Sequence, residues 1–114
     1  MGRKSTKPSV FAAGYSSRDN LCLLSNKWSL LVLRALGGQA LRFSDLHQRV
    51  EGISQKMLAQ TLRGLEAKGL VLRRVYPDIP VRIEYSLTGR AQPLLRPIEA
   101  ICRWAESGSH FRRP

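Results

Sequence analysis

Leu41-Arg-Phe-Ser-Asp-Leu46, Gly52-Ile-Ser-Gln-Lys-Met-Leu58 and Leu62-Arg-Gly-Leu-Glu-Ala-Lys-Gly-Leu-Val-Leu-Arg-Arg-Val-Tyr76 succeed one another within residues 41–76 of a chain of 114. Phe43, Leu46 and Val50 recur at i, i+3 and i+7, which places one apolar stripe on a short helix that Gly52 ends. A second helix is expected to start at Ser54, whose hydroxyl can accept from first-turn amides, and to run to Lys68, where Gly69 stops it. At 100° per residue Leu58, Leu62 and Leu65 fall on one side of it, and Lys56, Gln60, Arg63 and Ala67 fall opposite. A helix, a glycine turn and a second helix with a polar, basic outer face suit a protein that lays a helix along a DNA groove.

The residues on either side of that helix pair narrow the fold. Leu70-Val-Leu-Arg-Arg-Val-Tyr76 is rich in branched and aromatic residues, Pro77-Asp-Ile-Pro80 interrupts it, and Val81-Arg-Ile-Glu-Tyr-Ser-Leu87 alternates apolar with polar. The reading is a two-stranded hairpin with a proline-bounded tip and with Arg73, Arg74 and Arg82 beside it, the wing of a winged-helix fold. Upstream, Asp19 to Leu24 forms a short first helix, and Ser25 or Asn26 caps a second starting near Lys27. That helix, with Trp28, Leu31, Val32, Leu33, Ala35 and Leu36, has few polar positions and should be buried on most sides, Trp28 included. Downstream, Arg90 to Ser107 returns to helical spacing, with Pro93 in the first turn and a bend at Pro97. Its apolar residues cover about half the wheel, wider than the ~100° stripe one core contact requires, so a second buried surface is expected.

Charge names the class of partner. Nineteen Lys and Arg against eight Asp and Glu leave a net charge of +11, which points to a polyanion, with nucleic acid first because no segment has the ~20 apolar residues of a membrane span. One domain is expected, small enough to gain stability by sharing apolar surface with a partner. Residues 1–17 read as a flexible basic arm, 18–108 as the domain and 109–114 as a short basic tail. No secretion or lipidation signal is read, so the expected location is cytoplasmic. Cys22 and Cys102 have neither a metal spacing nor a disulfide framework and are read as reduced, buried thiols; His47 and His110 are read as surface residues without metal or acid-base roles. Without a phosphate loop, a metal cluster or a nucleophile beside a base, no enzyme activity, cofactor or metal is expected.

In six stretches the chain resembles the HxlR-type winged helix-turn-helix transcription regulators of bacteria and archaea. They are Lys27-Trp-Ser-Leu-Leu31, Leu41-Arg-Phe-Ser-Asp-Leu46, Gly52-Ile-Ser-Gln-Lys-Met-Leu58, Leu62-Arg-Gly-Leu-Glu66 with Gly69-Leu-Val71, Arg74-Val-Tyr-Pro77 and Val81-Arg-Ile-Glu-Tyr-Ser-Leu-Thr88, in family order. The resemblance implies an α+β domain, mainly α, with a two-stranded wing (70–87) and a C-terminal dimerisation helix. It implies a homodimer on double-stranded DNA, a recognition helix at 54–68 in the major groove and the wing on the flanking minor groove or phosphates. Carried over by position, Ser54, Gln55, Lys56, Gln60 and Arg63 lie on the recognition helix, Arg73, Arg74 and Arg82 on the wing, and Arg42 where a basic phosphate contact would stand. Leu94, Ile98, Ile101 and Trp104 are the expected dimer contacts.

The family's usual cysteine, about a dozen residues before the Trp of the Lys-Trp pair, has no counterpart here, so thiol sensing is not carried over. Ser25-Asn26 replaces the usual Gly-Gly, and the hinge at Leu87-Thr-Gly-Arg90 is shorter than usual. The expected function is sequence-specific transcription regulation, as a repressor by family analogy, on a pseudo-palindromic operator. The alternatives are a small basic RNA-binding or ribosome-associated winged helix, and a protein-interaction module. With no sensor domain, a small-molecule effector has its place at the dimer interface between the first and last helices.

Overall fold

Asn26 turns the chain into the helix on which the domain is built. In the computed structural model, which describes residues 9–11 and 16–108, its side-chain Oδ1 accepts from the Trp28 N–H at 2.8 Å. The preceding helix α1 (Ser16–Leu24) is closed by Ser25, whose hydroxyl donates to the Cys22 carbonyl at 2.7 Å. Of the two expected caps, Asn26 takes the role and Ser25 ends the helix before it. Helix α1 also starts three residues ahead of the expected Asp19. Most of the expected arm, the tail at 109–114 and His110 lie outside the described residues.

Helix α2 (Lys27–Ala35) carries Val32, Leu33 and Ala35 into the core and packs on all the other helices, as its nearly unbroken apolar sequence requires. Trp28 sits at the margin of that core, half-buried, with the Lys27 ammonium 4.7 Å above its ring. Helix α3 (Phe43–Arg49) opens at Arg42, whose N–H donates to the Asp45 carboxylate at 3.4 Å, and sets Leu46 wholly inside. Gly52, at φ +91°, then provides the left-handed turn between α3 and α4 (Gln55–Ala67).

Ser54 caps α4 as its sequence predicts, accepting from the Met57 N–H at 3.0 Å. The other end is a Schellman motif: the Gly69 N–H bonds the Glu66 carbonyl and the Leu70 N–H the Leu65 carbonyl, each at 2.9 Å, with Gly69 at φ +73° and Leu65 and Leu70 both buried. That motif stops the helix and launches β1 (Val71–Tyr76), which pairs antiparallel with β2 (Arg82–Leu87). Leu41 adds a one-residue bridge, exchanging two hydrogen bonds of 2.9 and 2.8 Å with Tyr85. The bridge lies outside the expected hairpin. It fixes the wing to the entrance of α3.

The chain then enters a 3-10 helix (Gly89–Leu94) and continues into α5 (Leu95–Ser107). Pro93 lies in the 3-10 segment and Pro97 in the first turn of α5, where a missing N–H breaks no intrahelical bond, and the change of helix type falls between the two prolines. Thr88 and Arg90 tie the junction to the end of α4: the Thr88 hydroxyl donates to the Gly69 carbonyl, and the Arg90 Nε to the Lys68 carbonyl at 3.0 Å. Across the domain, Arg34 on α2 pairs with Glu106 on α5 at 3.0 Å, which holds the Arg34 guanidinium above its ordinary ionisation range. Cys22 is corrected by the structure. It is exposed on α1, and Cys102 alone of the two thiols packs on the core.

Candidate nucleic-acid interface

Leu58, Leu62 and Leu65 lock α4 to the core with at most 1% of each exposed, which fixes what the rest of the helix can present. Gln55, Lys56, Gln60, Arg63 and Ala67 are all exposed on it. Among the described residues neither Lys56 nor Arg63 is in an ion pair. Two long cations and two amides therefore stand in solvent on one rigid helix, the donor types that reach guanine O6 and N7 or pair with adenine. Ser54 is exposed at the helix start, but its hydroxyl is already an acceptor for Met57, so its structural role is the cap. Arg42 is exposed at the opening of α3, one helix earlier.

The three wing arginines do not form one set. In the observed register Arg73 faces Tyr85, Arg74 faces Glu84 and Tyr76 faces Arg82, so alternation puts Arg73 on the face with Val71 and Tyr85 and puts Arg74 and Arg82 on the opposite face. Arg73 and Arg74 are exposed, and neither is in an ion pair among the described residues. The Arg74 guanidinium lies 6.0 Å from the centroid of the Tyr76 ring and is held above its ordinary range mainly by a hydrogen bond with Tyr76.

Arg82 differs from both. Its Nε donates to Asp78 at 2.9 Å, its Nη1 to Glu84 at 2.6 Å, and its guanidinium stacks 3.9 Å over Tyr76. Asp78 first and Glu84 second raise its ionisation range further. An arginine opposed by two carboxylates has less unmatched charge to offer a phosphate than Arg73 or Arg74, which sets Arg82 apart from the other two expected wing contacts. The family resemblance implies a third donor here; the acids that engage it come from the tip and the strand.

The terminal helix divides the expected dimer residues in two. Ile98 is only 3% exposed and belongs to the domain's own core, and Leu94 is half-buried against it, so these two of the expected dimer contacts already pack within the fold. Ile101 and Trp104, at 51% and 78% exposed, lie outside that core. The wide apolar face seen in the sequence is real, and the described residues cover only part of it. His47 is half-buried, more enclosed than the expected surface residue.

This geometry, with a core-locked pair of helices leading into a hairpin, is shared with known proteins. The family model described as HxlR-like helix-turn-helix matches residues 23–111. The chain belongs to this family. A Methanothermobacter thermautotrophicus protein named an uncharacterized HTH-type transcriptional regulator is 43% identical over 88 residues, covering 76% of this chain and 67% of the relative. YtfH of Escherichia coli, named in the same way, is 39% identical over 97 residues, covering 85% and 77%. The solved structure of ytfH from Salmonella typhimurium superposes with a TM-score of 0.80 at 37% identity, covering 90% of this chain and 91% of the other. As an HxlR-like protein the chain is a transcriptional regulator of the helix-turn-helix type. No helix among the described residues is long and apolar enough to cross a membrane.

Proposed function

We propose that the chain is a homodimeric, sequence-specific DNA-binding repressor that acts in the cytoplasm by occluding promoters. Helix α4 enters the major groove, with Gln55, Lys56, Gln60 and Arg63 toward the bases and phosphates. Arg73 and Arg74 of the wing and Arg42 of α3 meet the flanking backbone. Two protomers pair through the uncovered Ile101 and Trp104 surface of α5, and so read a pseudo-palindromic site whose half-site spacing matches the dimer.

The observation that carries this reading is the exposed face of α4. Its cations and amides lack ion-pair partners within the described residues while its opposite face is locked in the core. The test is selection of bound fragments from genomic DNA, then titration of the recovered duplex, a scrambled duplex and a matched RNA duplex at two salt concentrations. Arg63→Gln is expected to weaken binding to the recovered site roughly ten- to a hundredfold and to relax preference at one position. Equal affinity for all three duplexes would sink the operator reading and favour a nonspecific RNA or DNA binder.

A further inference from the structure

In the wing, three arginines and two acids compete for partners across two short strands. Glu84 stands directly opposite Arg74 in the register, where cross-strand side chains begin roughly 4.5–5.5 Å apart, within easy reach of an ion pair. Yet the Glu84 carboxylate is taken by Arg82, two residues before it, at 2.6 Å. Arg82 is itself fixed by the Tyr76 ring at 3.9 Å and by Asp78 from the tip at 2.9 Å, with 29% of its side chain exposed. Arg74, across from an acid, is in no ion pair among the described residues; Tyr76 hydrogen-bonds it, and the Glu84 charge acts on it only at a distance.

We propose that Arg82 is a positioning residue that keeps the Glu84 carboxylate from pairing with Arg74 and so leaves the Arg74 charge unmatched for the DNA backbone. This role rests on the proposed contact between the wing and DNA. Asp78 and Tyr76 have a defined part in it: they anchor the Arg82 fork so that it faces Glu84. Without Arg82, Glu84 turns to its cross-strand neighbour, and the wing loses a phosphate contact that Arg82 never made.

A mutant cycle on the full chain separates this from direct contact and from scaffolding. Affinity for the duplex recovered from genomic selection is measured over a range of salt for R74A, R82A, E84Q and R82A/E84Q, with R63A as a reference outside the wing. One phosphate contact contributes about fivefold at ~0.15 M salt, from a slope of roughly 0.9 per contact. R82A is therefore expected to weaken binding about fivefold and to lower the salt slope by about one, as R74A does. Removing the acid as well is expected to restore R82A/E84Q to within about twofold of E84Q alone.

A structural defect in the wing would not be repaired by E84Q, nor would loss of a direct Arg82 contact. R82A/E84Q binding as weakly as R82A overturns the proposal, as does R82A binding like the wild type. Should R82A fail to melt cooperatively, R82Q carries the same expectations with the side-chain bulk retained. If R63A loses affinity while the double variant stays weak, the inference falls alone. If R74A retains full affinity and slope, the wing reading falls and the inference with it.

Discussion

Replacing Ser54 separates two roles that its position joins. Its hydroxyl accepts from the Met57 N–H at 3.0 Å with extended backbone at φ −74° and ψ 157°, and it stands at the end of α4 that the proposed mode brings to DNA. Ser54→Ala removes the acceptor and leaves a helix amide without its partner, a cost of about 1 kcal/mol. For a domain of this size that lowers Tm by roughly 4–8 °C. Ser54→Asp keeps an acceptor and adds a negative charge at the positive end of the helix, which contributes about 0.3–1 kcal/mol, so Tm should hold or rise. On DNA the order reverses. Alanine leaves the backbone amides in place and should bind near the wild-type level. A carboxylate ~7 Å from a phosphate, in a medium of effective dielectric constant ~40, is repelled by about 1.2 kcal/mol, or roughly eightfold in Kd. Thermal melts by circular dichroism and fluorescence anisotropy with the selected duplex read the two effects separately. An unchanged Tm in the alanine variant would refute the capping role. Wild-type affinity in the aspartate variant would refute the placement of this helix end against the backbone.

The same geometry gives other expectations. Leu62→Ala empties a site 1% exposed between α4 and the core and should cost about 2–5 kcal/mol, read from the midpoint of urea unfolding. Gly69→Ala puts a side chain at φ +73°, where Arg90 already lies 3.5 Å from the added carbon; it should destabilise by about 1–2 kcal/mol, and a stability equal to the wild type would contradict the Schellman geometry. Trp104→Ala should raise the dimer dissociation constant more than about a hundredfold in sedimentation equilibrium, since burying most of a Trp at ~25 cal/mol per Å² contributes several kcal/mol. An unchanged dimer in that variant, or a monomeric wild type at any concentration tested, would remove α5 from the proposed interface.

Much of the fold was legible because its signals are local. The Ser54 cap, the Gly52 turn, the Gly69 stop and the Leu58, Leu62, Leu65 stripe each depend on hydrogen bonds or side-chain spacing within one or two turns, so a short stretch of residues contains the whole cause. The wing could be read in the same way, from alternation and a proline-bounded tip. Its Leu41 bridge could not, because one residue exchanging two hydrogen bonds with a distant strand leaves no periodic trace.

By itself, then, the sequence determined the order of the elements, the polar and basic face of α4, and an apolar surface on the last helix too wide for one contact. The tertiary structure decided how each surface is used. It placed Ile98 in the domain's core and left Trp104 outside, because only packing against α2 tells which part of a wide apolar face is covered. It also decided which wing arginines are in ion pairs. Charge counts as one sum along a chain, but it is matched pair by pair in space, and in the wing Asp78 and Glu84 both go to Arg82 while Arg73 and Arg74 remain without ion pairs among the described residues.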